Sequence, residues 1–401
     1  MKQTVYIILC VLLPFLSGWA EWREAVEMSE ARRGHCAAAV DGKIYVFGGM
    51  GSRMRAPLSS AECYDPAADE WTEIAAMPVR LHYAAAAAYD GRIYIFGGDT
   101  LAGAAGSNVY RYDPETDEYE AVAVLPTGLA GHSAVTLGQR ILIIGGLDGD
   151  GNYVQGCTWF DPDSQVMDDG GPELGQPRIN FGAANLGRLV IAAGGIFHGP
   201  LYQAEQFTGR RWESMANLPL PRGGLAAAFL DSNLVVVGGR HRMADAVDGV
   251  IGHRLGGDGW FIMEPLNHAR LDFALVELDG RLYAIGGAST AEHQMRGVMA
   301  TVEVLDEVVG VSEYDPGLPQ TPSLTVYPNP VNGWAAFALP GGAARITIYN
   351  SLGQPVADAR FTSPAGAWHW NSAPFPAGVY YYRITSLGRQ EPFTGNVSVL
   401  K

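Results

Sequence analysis

The chain has 401 residues, 48% of them hydrophobic, and a formal net charge of −15, which is enough length for more than one domain. Residues 323–401 carry five basic and two acidic side chains; with Lys2 set aside, the region before them holds 40 acids against 21 bases, a net of −19. Such a body repels nucleic acid and acidic membrane surfaces, and the sequence contains no Gly-x-Ser-x-Gly elbow, metalloprotease motif or phosphate loop that would mark a common catalytic centre.

The first segment has Lys2, an apolar stretch from Val5 to Leu16, and then Gly18-Trp19-Ala20. This reads as a secretory signal peptide, residues 1–20, with cleavage after Ala20. The apolar stretch is too short to span a membrane comfortably, and no later segment approaches the ~20 apolar residues that a span requires. Cleavage leaves Cys36, Cys63 and Cys157, an odd number that cannot fully pair within one chain. Cys36 and Cys63 fall on strands separated by another strand, too far apart for a disulfide, so the three are expected to be buried free thiols.

From there a short apolar strand runs six times into a glycine pair: Gly48-Gly49, Gly97-Gly98, Gly145-Gly146, Gly194-Gly195, Gly238-Gly239 and Gly286-Gly287. The recurrence predicts a repeat protein with one four-stranded blade (strands a to d) per repeat, and hence six blades around an axis. After the glycines come Tyr64-Asp65-Pro66, Tyr112-Asp113-Pro114 and Phe160-Asp161-Pro162, followed seven residues after each aromatic by Trp71, Tyr119 or Met167. Trp212 and Trp260 keep the aromatic where the Tyr-Asp-Pro step is lost. Over residues 22–306 this pattern resembles the kelch repeat, and the resemblance implies an all-β, six-bladed propeller occupying 21–314.

Ring closure is read from Trp22, which precedes Met28 by six residues, as Trp71 precedes Met77 and Trp212 precedes Leu218. Residues 22–26 are therefore expected to be an outermost strand d that completes blade 6 and removes free edges; Val309–Tyr314 is the competing candidate.

A Pro-rich linker, 315–322, should be extended. Beyond it, in 323–401, short alternating strands separated by Gly and Pro predict a small Ig-like β-sandwich. The segments Tyr327-Pro328-Asn329-Pro330, Leu352-Gly353-Gln354 and Ala377-Gly378-Val379-Tyr380, with a terminal strand ending at Lys401, resemble the C-terminal sorting domain of the bacterial type IX secretion system. That resemblance implies the type IX machinery as a partner and an extracellular or outer-membrane-surface location.

For ligands, the b-to-c connections are long (50–59, 99–107, 147–155, 240–249, 288–297) and the a-to-b turns are tight, so one face of the ring is elaborated. Arg32, Arg80, Arg178, Arg222 and Arg270 stand sixteen or seventeen residues before a glycine pair, with Gly128 in that place in blade 3. A ring of arginines at the channel mouth, supplemented by Arg53, Arg240 and Arg242 from the loops, would bind a carboxylate or other anion, such as an anionic glycan or an acidic peptide. The competing expectation is that the repeat arginines only brace loops. His198, His241 and His293 lack a metal-ligand spacing, and Asp148–Asn152 opens like a calcium loop but meets Trp159 where the closing Glu belongs. No metal or cofactor is expected, and no catalytic residue can be named. The reading is a binding protein; the enzymatic alternative is a six-bladed sialic acid mutarotase type, which an acid near the arginines would favour.

Overall fold

A computed structural model describes residues 22–306, except 53–55, 101–104, 242–245, 258 and 291–296, and, in the C-terminal region, residues 326–327, 334–339, 343–349, 355–360, 366–376, 378–386 and 393–399. Five antiparallel four-stranded blades follow in chain order. Blade 1 is Cys36–Val40, Lys43–Phe47, Ala61–Asp65 and Glu70–Ile74, and blade 5 is Ala226–Leu230, Asn233–Val237, Val250–Arg254 and Trp260–Met263. Blade 6 consists of Ala274–Leu278, Arg281–Ile285 and Val302–Leu305, with Trp22–Ala25 as its outermost strand. Trp22 lies opposite Leu305 and Ala25 opposite Val302. The six strands a touch in a closed circuit, blade 6 meeting blade 1.

Composition follows distance from the axis. Strands a converge where the circumference is smallest, so they are built from small residues such as Ala37–Ala39, Ala85–Ala88 and Ala226–Ala228. Strands b carry the bulk: Ile44, Val46, Phe47, Ile93, Ile95 and Phe96 are fully buried between blades. Each glycine pair has positive φ at both positions. The second glycine donates its N–H to the next blade, as from Gly49 to the Leu81 carbonyl at 2.8 Å and from Gly287 to the Arg32 carbonyl at 2.9 Å. A Cβ on Gly48 would sit 2.5 Å from the Leu81 carbonyl oxygen, so only glycine fits.

At the rim, outer-strand aromatics bond back to the preceding blade. Trp71 Nε1 donates to the Val26 carbonyl at 3.0 Å, Tyr119 Oη to Ala75 at 2.9 Å and Trp260 Nε1 to Ala216 at 3.0 Å. Cys36, Cys63 and Cys157 are buried free thiols, and burial pushes Cys36 and Cys157 up to about 12, so they are packing groups rather than nucleophiles.

In the C-terminal region, one sheet joins Val326–Tyr327, Trp334–Leu339 and Gly366–Asn371; the other orders Pro355–Arg360, Ala343–Tyr349, Gly378–Ser386 and Phe393–Val399. Phe337 and Trp370 from the first share a buried cluster with Ile346, Ile348, Tyr380 and Tyr382 from the second. No helix among the described residues is long and apolar enough to cross a membrane.

Candidate functional site

The repeat arginines turn away from the axis, which corrects the expectation of an anion-binding ring. Arg32, Arg178, Arg222 and Arg270 are buried. Each donates from Nη1 to the carbonyl of the first glycine of its own pair: Gly48 at 2.8 Å, Gly194 at 2.8 Å, Gly238 at 3.4 Å and Gly286 at 2.8 Å. Three also meet a strand-c glutamate: Arg32 with Glu62 at 2.6 Å, Arg270 with Glu303 at 2.5 Å, and Arg178 with Glu205. Those glutamates then take backbone N–H groups from the loop ahead of the arginine, as Glu303 takes Asn267 at 2.6 Å and His268 at 3.1 Å. The guanidinium is thus the hub of a brace inside one repeat.

Arg80 is one residue out of phase. The equivalent position in blade 2 is Leu81, whose carbonyl receives Gly49, and in blade 3 it is Leu129, whose carbonyl receives Gly98. Both leucines are buried, while Arg80 lies exposed with a 3.4 Å bond to the Pro57 carbonyl. Sequence reasoning missed Glu62, Glu205 and Glu303 because variable b-to-c loops change their distance from the glycines; counted along strand c their position is constant.

At the mouth on the b-to-c loop face, six residues two positions beyond the arginine place form a closed backbone ring. Tyr83 N–H donates to Gly34 at 2.6 Å, Gly131 to Tyr83 at 2.9 Å, Asn180 to Gly131 at 2.9 Å, Gly224 to Asn180 at 2.8 Å, Asp272 to Gly224 at 2.9 Å and Gly34 to Asp272 at 2.7 Å. All six have positive φ, between 48° and 67°. Glycines alternate with Tyr83, Asn180 and Asp272, and each of these side chains folds over a neighbouring glycine of the ring. Tyr83 spans Gly34, and its hydroxyl donates to Asp272 Oδ2 at 2.8 Å. Behind this collar lies a channel of about 720 Å³ in whose wall alanine from the strands a is the commonest residue.

Just outside the collar, a second tier pairs the residue before each collar position with the residue after each glycine pair: Arg33 with Met50, His82 with Asp99, Ala130 with Leu147, Ile179 with Ile196, Gly223 with Arg240 and Leu271 with Ala288. The charges of Arg33 and Arg240 both reach Tyr83 and Asp272. Burial raises the Asp272 carboxyl against the opposing pull of Tyr83 and the two arginines, and burial likewise raises the Tyr83 phenol well above its ordinary value. Of the sequence-named residues the structure therefore brings Arg240 to the mouth, together with the unforeseen Arg33, Tyr83 and Asp272; Arg53 and Arg242 lie outside the described residues.

His198 is exposed beside Tyr153 and Phe197, His241 Nδ1 lies 3.1 Å from the Pro221 carbonyl, and His293 is outside the described residues. No group of three metal-ligating side chains occurs among the described residues. Asp148 closes its loop on itself, accepting from Asp150 N at 2.9 Å and Asn152 N at 2.8 Å.

Comparison with known proteins agrees with this geometry. Residues 9–146 match the KLHDC2/KLHL20/DRC7 kelch-repeats domain. The N-terminal body is a kelch-type propeller. Residues 325–391 match the secretion system C-terminal sorting domain, which marks the chain for export to the cell surface or the medium. The chain is 35% identical to the Arabidopsis thaliana F-box/kelch-repeat protein SKIP4 over 24% of its own length and 27% of that protein's. It is 31% identical to mouse (Mus musculus) Kelch-like protein 9 over 28% of its length and 19% of that protein's. It thus spans about a quarter or less of these curated relatives. The solved structure of YjhT superposes with a TM-score of 0.61 at 18% identity, covering 69% of this chain and 95% of that one, and shares the fold.

Proposed function

We propose that the protein is an exported binding module. In this reading residues 1–20 are removed on export, 323–401 engage the type IX machinery beyond the linker 315–322, and the propeller, 21–314, presents its b-to-c loop face to an extracellular protein or glycan ligand. The observation that carries it is the mouth of the channel. The repeat arginines are spent on the scaffold, yet on this face a charged and hydroxyl-bearing group (Arg33, Arg240, Tyr83, Asp272) gathers around the collar.

Deleting 323–401 should keep the propeller from reaching the cell surface; a truncated chain recovered there would overturn the export half. Glycan and peptide arrays probed with the full-length protein test the binding half, which requires hits that are lost when a b-to-c loop is replaced. Asp272 favours a second, enzymatic reading, since a mouth acid next to a hydroxyl would serve proton transfer in mutarotation of an anionic sugar. Unaccelerated anomerisation of sialic acid would remove it.

A further inference from the structure

The second tier of the mouth is divided by chemistry. In blades 5, 1 and 2 it carries polar side chains, Arg240 and Arg33 on the blades either side of Asp272 and His82 with Asp99 beyond, while the blade 6 pair between the two arginines, Leu271 with Ala288, is buried beneath the mouth. Across blades 3 and 4 it is apolar: Ala130, Leu147, Ile179 and Ile196, all partly exposed. The apolar half extends outward, because Leu147 bridges to Tyr153, whose ring packs edge-on against Phe197 at 4.9 Å. With six collar residues joined by antiparallel-type steps of ~5 Å, the mouth is about 10 Å across between Cα atoms, so a small molecule touches both halves.

The cations in the polar half are available. Arg32, next to Arg33, is locked in its brace, but among the described residues neither Arg33 nor Arg240 has a hydrogen-bond or ion-pair partner for its guanidinium; their effect on Tyr83 and Asp272 acts through the field alone. Both are only partly exposed. Two unpaired, half-buried guanidiniums beside a collar that already holds one acid are an arrangement that a ligand carboxylate completes.

We propose that this mouth binds an amphipathic carboxylate, with the carboxylate on Arg33 and Arg240 and an apolar body against Leu147, Ile179 and Ile196. The proposal rests on the binding-module reading and adds the ligand class. Two sources share this chemistry, a free aryl or aliphatic acid and the C-terminus of a peptide ending in a large apolar residue.

The test is calorimetric or NMR titration of the full-length protein with 3-phenylpropionate, its neutral amide, acetate, and a peptide ending in Phe as free acid or amide. The acid should bind at least tenfold more tightly than its amide and than acetate. Arg33→Gln and Arg240→Gln should each weaken the acid about tenfold or more, and Ile196→Ser should weaken 3-phenylpropionate without changing acetate. A free-acid peptide binding well beyond 3-phenylpropionate assigns the peptide source, and equal affinities assign the free acid; either supports the proposal. It is overturned if no probe binds at millimolar concentration, if acid and amide bind alike, or if both arginine variants, melting with wild type, stay within twofold. An array hit insensitive to both arginines but lost on replacing a b-to-c loop would keep the binding module and end this assignment.

Discussion

Trp22 Nε1 donates a 3.1 Å hydrogen bond to the carbonyl of Glu264, a residue 242 positions away. Beside it, Asn267 Nδ2 returns a 2.7 Å bond to the Trp22 carbonyl. The indole is 4% exposed and packs with Leu266, Leu282 and Leu305, so the first described residue of the chain is a core residue of the last two blades.

Trp22→Ala should therefore act as a core truncation, costing on the order of 3–5 kcal/mol in urea unfolding. Val124→Ala, at a side chain 61% exposed, should stay within about 0.5 kcal/mol. Equal midpoints for the two variants would show that the closing strand contributes nothing to stability.

The arginine braces give a second contrast. Arg270→Met leaves Glu303 charged and fully buried, at a cost of about 3–5 kcal/mol. Arg23→Met breaks only the ion pair with Asp306, both partners about half exposed, and should cost under about 1 kcal/mol. Chemical denaturation of both variants checks the ordering, and a mild Arg270 phenotype would reject the hub role.

Acid should weaken the ring through two buried histidines. Burial first, then the charge of Arg32, lowers His35 to about 3, and burial lowers His132 to about 4. The unfolded chain takes up those protons near pH 6.5. The stability due to neutral imidazoles is thus complete above about pH 6.5 and declines as pH falls towards 4, by up to about 1.4 kcal/mol per pH unit for each residue. Phe181 and Phe273 occupy the same place after the collar residue in blades 4 and 6. Combined His35→Phe and His132→Phe should flatten this acid limb in urea titrations between pH 7 and 5; an unchanged slope would mean that other groups titrate.

Collar glycines should be less replaceable than turn glycines with similar φ. A Cβ on Gly131 (φ +66°) would fall 2.6 Å from Asn180 Oδ1, whereas one on Gly42 (φ +73°) meets nothing within 4 Å. Gly42→Ala should cost about 1–2 kcal/mol for backbone strain, and Gly131→Ala more, as read by thermal melting.

Blade number and kelch character were legible in the sequence because the glycine pairs are required by geometry: both φ values are positive and a neighbouring blade's backbone abuts them. The site was not legible, and Arg32-Arg33 shows why. Adjacent strand residues point to opposite sides, and nothing local says which arginine enters the blade and which faces the mouth. The same one-residue ambiguity put Arg80 where Leu81 belongs. The collar is concealed differently, since Tyr83, Asn180 and Asp272 adopt a glycine-like φ only because the ring of bonds across all six blades holds them there.

The closing strand also sets a timetable. Trp22–Ala25 leaves the ribosome before any other part of the ring, yet its partner, Val302–Leu305, is synthesised only after five whole blades. Until then the molecule has two raw sheet edges, one on the nascent strand and one on the unfinished sixth blade, each a template for unwanted pairing. A chain stopped or clipped before residue 302 would keep both. The seam that leaves the finished ring only the short outer edges of its blades thus leaves every unfinished ring adhesive.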